Sequence, residues 1–247
     1  MNTAQLSSRT GAAADQRKLA PLRRDVHMLG DLLGQVLIHQ EGRAFFDIEE
    51  RIRQLAIRIR RRGSAQGDTA LRRLLGRLPM PAAEKIIRAF SVYFQLVNMA
   101  EESHRLRRKR HYEALPGFHP QRGSIEDVVH RLHAARIPFE TLVKRSEDLA
   151  ITLVLTAHPT QALPPTILRK HRAIWDLLMQ RQLLNPVPKE ASAITRDVLE
   201  QIMELWQTDE VRPARPTIED EVEQGLYYLS SVLYDALADV VLAFRSE

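Results

Sequence analysis

The sequence predicts a mostly α-helical chain with a single strand, and three observations carry that expectation. Apolar residues recur at steps of three and four along most of the 247 residues. Pro and Gly stand at the edges of these periodic stretches rather than inside them. One short run, Ile151-Thr152-Leu153-Val154-Leu155, is apolar and partly β-branched instead, the composition of a strand rather than of an amphipathic helix.

Residues 1–20 are polar and alanine-rich with little periodicity and read as a mobile arm. The first helix is expected over about 25–40, where Leu29, Leu32, Leu33, Val36 and Leu37 share one stripe, and Gly42 ends it. The next, over about 43–62, places Phe45, Ile48, Ile52, Leu55 and Ile59 on one face with charge around the rest. Residues 63–68 read as a loop by composition. Pro79 and Pro81 then open a long helix over about 82–110, because a proline near a helix start forfeits only an N–H that has no partner there. Its expected apolar face is Ile86, Phe90, Tyr93, Phe94 and Val97.

After a loop over 116–123, Ser124 and Asp127 form a capping signal before a helix bearing Val128, Val129 and Leu132. Beyond the strand, Pro164 and Pro165 open a helix carrying Ile167, Leu168, Ile174, Trp175 and Leu178. Pro186 and Pro188 mark a linker before a helix with Ile194, Val198, Ile202 and Leu205. The last helix starts near Thr217, with Asp220 three residues on, and runs through Leu226, Leu229, Leu233 and Leu237. The expected division is therefore an arm (1–20), a helical region (21–148) and a second region (149–247) that begins with the strand. A lone strand leaves its ladder groups unpaired, so partner strands are expected elsewhere in the protein.

Composition narrows the function classes. With no cysteine, disulfides, thiolate metal sites and cysteine nucleophiles are ruled out. The first twenty residues lack the apolar core of a signal peptide, and no unbroken run of about 18 apolar residues suggests a membrane span. A cytoplasmic protein without membrane contact is expected. Lys+Arg exceed Asp+Glu, 36 to 31, and the excess clusters at 58–62 and 105–110. Such clusters suit nucleic acid or phosphorylated metabolites. At 105–110, however, the cluster closes a helix C-terminus, where cations complement the macrodipole, so no nucleic-acid partner is needed.

His158 is the main candidate for chemistry. It lies just past the strand, before a helix, at the kind of edge where α/β folds gather ligand-binding groups. Pro159 favours an extended backbone at His158. A structural histidine in a strand-to-helix turn is the competing reading. No Walker loop, dinucleotide fingerprint or zinc-protease motif occurs. The acidic cluster Glu219-Asp220-Glu221 lies in a first helical turn, where negative charge is stabilising without a metal.

Three segments together resemble the phosphoenolpyruvate carboxylase family, bacterial type. Residues 153–161 (LVLTAHPTQ) are similar to its histidine signature. Residues 94–102 (FQLVNMAEE) followed by His104-Arg105-Leu106-Arg107-Arg108 resemble a helix upstream of it. Thr208-Asp209-Glu210-Val211-Arg212, then Arg215-Pro216-Thr217, Asp220-Glu221 and residues 225–228 (GLYY), resemble the family downstream. Their order and spacing agree, and the resemblance covers roughly residues 25–235.

The resemblance implies that this is the amino-terminal portion of an elaborated (β/α) barrel buried among helices, with Ile151–Leu155 as its first strand. It implies a lyase that joins phosphoenolpyruvate and bicarbonate into oxaloacetate and phosphate, feeding the tricarboxylic acid cycle. It also implies Mg²⁺ or Mn²⁺, with ligands outside this chain, and a homo-oligomer, tetrameric in the full enzyme. His158 takes the catalytic role, moving the proton that lets carboxyphosphate release CO₂ beside the enolate. The chain then reads as an incomplete enzyme, inactive alone. One departure stands out: Pro164 and Pro165 occupy the positions of two adjacent arginines in the family pattern, and proline supplies neither charge nor donors. That departure leaves open an alternative, a degenerate non-catalytic relative acting as a helical interaction module.

Overall fold

A computed structural model of the chain describes residues 3–63, 65–114, 120, 122–150, 163–183, 186–209 and 217–246. Among the described residues the secondary structure is entirely helical. The expected strand, Ile151–Leu155, lies outside them, so no strand bears out that expectation and the barrel is not visible in the described part.

Among the described residues ten α-helices follow one another: α1 (Thr3–Glu41), α2 (Arg43–Arg62), α3 (Ala65–Leu75), α4 (Met80–Glu113), α5 (Ile125–Ala134), α6 (Phe139–Glu147), α7 (Pro165–Leu183), α8 (Pro188–Gln207), α9 (Ile218–Tyr228) and α10 (Tyr234–Ser246). A π-helical turn, Leu229–Leu233, joins the last two. The chain divides into two compact units. The first takes Met1–Arg107 and Thr166–Asp209; the second takes Arg108–Pro165 and Glu210–Glu247. This partition cuts across the expected division at 148/149, because α7 and most of α8's apolar face pack with the amino-terminal helices.

In the first unit, α1, α4, α7 and α8 form a four-helix arrangement whose directions follow from side-chain pairings. Asp25 and Glu41 at the two ends of α1's inner stretch meet Arg107 and Lys85 of α4, at 2.6 and 2.5 Å, so these helices are antiparallel. Gln95 and Ser103 of α4 meet His171 and Gln182 of α7 at 2.7 and 2.8 Å, so those two run parallel. Lys170 of α7 pairs with Glu204 of α8, and Gln207 of α8 reaches Gln40 of α1 at 3.2 Å.

The core is what the periodicity requires. Leu29, Leu32, Leu33, Val36 and Leu37 of α1 are all buried, as are Ile167, Ile174 and Leu178 of α7 and Ile194, Val198, Ile202 and Leu205 of α8. Burial of each such side chain is worth roughly 1.5–3 kcal/mol. Gly34 lets α2 approach α1: a Cβ there would stand 3.0 Å from Phe46 Cε2. Gly42 and Gly63 flank α2 with φ of 88° and 59°, values that a residue without a Cβ adopts at no steric cost.

Four elements differ from expectation. Helix α1 begins at Thr3, not near residue 25; alanine-rich polar sequence has high helix propensity without an apolar stripe. The stretch 63–68 is not all loop, since α3 starts at Ala65 and is braced by Asp68 and Arg72 at 2.7 Å. Helix α6 follows Pro138; its apolar residues Phe139, Leu142 and Val143 fall at helical steps, but the segment is short. The inner face of α4 is Ile86, Ala89, Val92, Leu96, Met99, Ala100, Ser103 and His104, while Phe94 is 59% exposed. Small residues let α4 sit close to its neighbours; the aromatic side chains that drew the expected stripe lie to the side.

The second unit is packed differently. None of its described side chains is buried. Its helix ends follow the sequence: Ser124 Oγ accepts from the Asp127 N–H at 3.1 Å, and Thr217 and Asp220 make a reciprocal capping box at 3.2 and 2.8 Å. The 25 residues Ile218–Leu242 are long and apolar enough to cross a membrane by length and composition, although acidic residues crowd their first turn. A search for an unbroken apolar run overlooks such a stretch.

Candidate functional site

His158, the candidate catalytic residue, lies outside the described residues together with the rest of its motif, 153–161. What the structure does describe is the helix that follows the motif in sequence. Helix α7 begins at Pro165, immediately after it in sequence. Pro165 at the first helical position has its φ already set for a helix and lacks only an N–H that would be unpaired. The Pro164-Pro165 pair thus starts the helix cleanly, as expected, and offers no basic side chain there.

The α4 segment that resembles the family, 94–108, braces α7. Leu96, Met99, Ala100, Ser103 and His104 face inward. Gln95 Oε1 accepts from His171 Nε2 at 2.7 Å, and Ser103 Oγ donates to Gln182 Oε1 at 2.8 Å. The two bonds lie about two turns apart on α4 and about three turns apart on α7, and together they fix the axial register of the pair. Arg107 donates to Asp25 at 2.6 Å, tying the same helix to α1. Both partners are largely shielded from water, where a charge-assisted hydrogen bond is stronger than at the surface.

The third family-like segment begins where α8 ends. Arg88 of α4 lies over the Trp206 ring at 5.2 Å, donates to the Thr208 carbonyl at 2.5 Å and faces Asp209 at 3.6 Å. One guanidinium therefore caps α8 and holds the chain as it leaves the helix. A cation over indole and a donor on an orphan C-terminal carbonyl both favour arginine over lysine. Residues 210–216, the middle of the segment, lie outside the described residues.

One carboxyl of α2 stands in an unusual setting. Glu49 is only 7% exposed. Burial, reinforced by the neighbouring Glu50 carboxylate and opposed by Arg53, raises its pKa from 4.5 to about 7. Glu50 goes the other way: Arg53 donates two hydrogen bonds to it at 2.7 Å, which lowers its pKa. Sequence inspection passed over Glu49, whose only signal is an acidic residue beside the apolar stripe of an amphipathic helix.

No group of three or more His, Asp or Glu side chains suited to a metal occurs among the described residues. The described donor set therefore does not fit the divalent ion that the family resemblance implies. Glu219 and Asp220 instead serve the first turn of α9.

Comparison with known proteins agrees with this framework. Residues 22–247 match the phosphoenolpyruvate carboxylase family model. The chain is 38% identical over 222 residues to the phosphoenolpyruvate carboxylase of Pseudomonas paraeruginosa (strain DSM 24068 / PA7), covering 90% of this chain and 25% of that protein. It is 37% identical over 230 residues to the phosphoenolpyruvate carboxylase of Azoarcus sp. (strain BH72), with the same coverage, and 38% identical over 226 residues to that of Ralstonia nicotianae, covering 92% of this chain and 22% of that protein. A helical assembly is the class of structure the described residues define. The chain belongs to the phosphoenolpyruvate carboxylase family. It spans about a quarter of the length of the curated relatives it matches.

Proposed function

We propose that the chain supplies the amino-terminal helical part of a phosphoenolpyruvate carboxylase and contributes His158 to its active site. The single observation that supports this reading most is the brace between α4 and α7. The family-like segment 94–108 is keyed by Gln95–His171 and Ser103–Gln182 to α7, the next described helix after the histidine motif in sequence.

In the proposed reaction bicarbonate oxygen attacks the phosphorus of phosphoenolpyruvate, and the bond to the enol oxygen breaks. Carboxyphosphate and an enolate result. Carboxyphosphate must then shed a proton and split into CO₂ and phosphate before the enolate carbon attacks CO₂. Imidazole suits that proton transfer because its pKa lies near neutrality. The divalent metal would stabilise enolate charge; its ligands, and the cationic groups that clamp the phosphoryl oxygens, are expected outside this chain. Phosphoenolpyruvate and bicarbonate are the proposed substrates, a homo-oligomer the proposed assembly and the cytoplasm the proposed location.

A second reading rests on Pro164-Pro165, which removes a basic pair from beside the histidine motif: a non-catalytic helical module of the same family. One experiment separates the two. The matching quarter of the Pseudomonas paraeruginosa enzyme is replaced by residues 22–247 of this chain, and oxaloacetate formation is measured with phosphoenolpyruvate, bicarbonate and Mg²⁺. Turnover in the folded chimera, absent from this chain alone, supports the catalytic reading. A folded, inactive chimera refutes it.

A further inference from the structure

A pocket of about 400 Å³ opens between α1, α7 and α8 of the first unit, away from the α4–α7 brace. Its floor is apolar, with Leu32 and Leu199. Its polar lining is made of donors: Arg181 of α7, Arg196 and Ser192 of α8 and Gln35 of α1. Thr195 also faces it, but its hydroxyl proton is engaged with the Ala191 carbonyl at 2.7 Å. No carboxylate lines the pocket.

Neither Arg181 nor Arg196 makes an ion pair among the described residues, whereas Arg172 of α7 pairs with Asp176. Arg181 directs one N–H at the thioether sulfur of Met28, a weak acceptor that leaves most of its donor capacity unused. Two unpaired arginines converging on one cavity without an acid repel each other, an arrangement that an anion relieves. Guanidinium is also the side chain best matched to phosphate oxygens.

We propose that this pocket is a binding site for a small phosphate monoester, with Arg181 and Arg196 on the phosphate and the Leu32–Leu199 floor against its short carbon chain. A tetrahedral dianion fits better than a single carboxylate. Donors approach from three separate helices, so several oxygens in different directions are needed to satisfy them, and two formal positive charges match two negative ones. The assignment does not rest on the carboxylase reading, and its test gives an answer whether or not the chimera turns over.

The test is calorimetric titration of the full chain with inorganic phosphate and with glycerol phosphate, at ionic strength held constant with sodium chloride. Saturable binding is expected, tighter for glycerol phosphate. Arg196→Gln, at an exposed position that folding does not need, should weaken it at least about tenfold, the effect of losing one charge-assisted contact. Arg181→Gln should do the same, with circular dichroism confirming its fold. Arg60→Gln, an exposed arginine on α2, should leave binding unchanged. Non-saturable heats, equal affinities in Arg196→Gln and the parent, or tighter binding of malonate than of either phosphate would each overturn the assignment.

Discussion

Replacing Glu49 with Gln should stabilise the first unit at alkaline pH and leave it nearly unchanged at acid pH. Burial and the adjacent Glu50 raise the Glu49 pKa from 4.5 to about 7 in the folded chain. The folded state therefore binds a proton that the unfolded state has already released between those two values. Below pH 4.5 both states are protonated and the carboxyl costs nothing. As pH rises through 7 the folded state must hold a buried carboxylate, and stability falls. Each pKa unit is worth about 1.4 kcal/mol, so full ionisation costs about 3 kcal/mol relative to the unfolded chain. Gln carries no charge at any pH and removes that cost. The assay is urea unfolding followed by tryptophan fluorescence at several pH values from 4.5 to 8.5. The chain has two tryptophans, Trp175 and Trp206, and both belong to the first unit, so the signal reports on the unit that contains Glu49. The parent should lose stability across that range, while Glu49→Gln should stay flat and exceed the parent by about 3 kcal/mol at the top. Parallel pH profiles in parent and variant would refute the reasoning.

Other outcomes follow from the same packing. Ile202→Ala removes a fully buried side chain from α8 and should cost roughly 2–5 kcal/mol in the same assay. Arg88→Lys should lose both the Trp206 stacking and the fixed donor to Thr208, costing on the order of 1–2 kcal/mol and shifting the Trp206 emission, read by fluorescence against a Trp175→Phe background. Replacing Val222, Leu226 and Leu237, all more than half exposed, with Ser should reduce the chain's self-association, measured by light scattering, because large contiguous apolar surfaces drive association in water.

Legibility in the sequence varied with the physical cause of each element. Helix α2 was readable to within a residue or two, and α8 was readable in its buried stripe, because a strict apolar period, flanking Gly or Pro and a single packed face all point the same way. Thr217 and Ser124 were readable as caps because the donor they satisfy is three residues away and needs no tertiary partner. Helix α4 was readable as a helix but not in its facing. It is packed from two sides, and its contacts run through Ala89, Ala100 and Ser103, whose small size is what matters and carries no hydrophobic signal. Helix α3 was hidden by Gly67 and by the polar run before it; its Asp68–Arg72 pair is a local support that periodicity does not see. Glu49 looked like any surface acid until α2 was packed. His158 was legible only as a motif, since a histidine before a proline has no distinguishing periodicity and its surroundings lie outside the described residues. The α4–α7 brace was invisible in sequence, because nothing along the chain ties Gln95 to His171 or Ser103 to Gln182.

The most direct test of the central claim is the product balance of His158→Asn in a complete enzyme carrying this chain's residues 22–247. Asn keeps similar bulk and some hydrogen bonding but cannot move the proton at neutral pH. Phosphate, pyruvate and oxaloacetate are measured on one sample with phosphoenolpyruvate, bicarbonate and Mg²⁺. If His158 serves the carboxyphosphate step, phosphate release continues and the enolate takes a proton to become pyruvate. Oxaloacetate should then fall by on the order of 10²–10⁴-fold, far more than phosphate. An unchanged oxaloacetate-to-phosphate ratio, with both products declining together, would remove His158 from the reaction and leave it a structural residue.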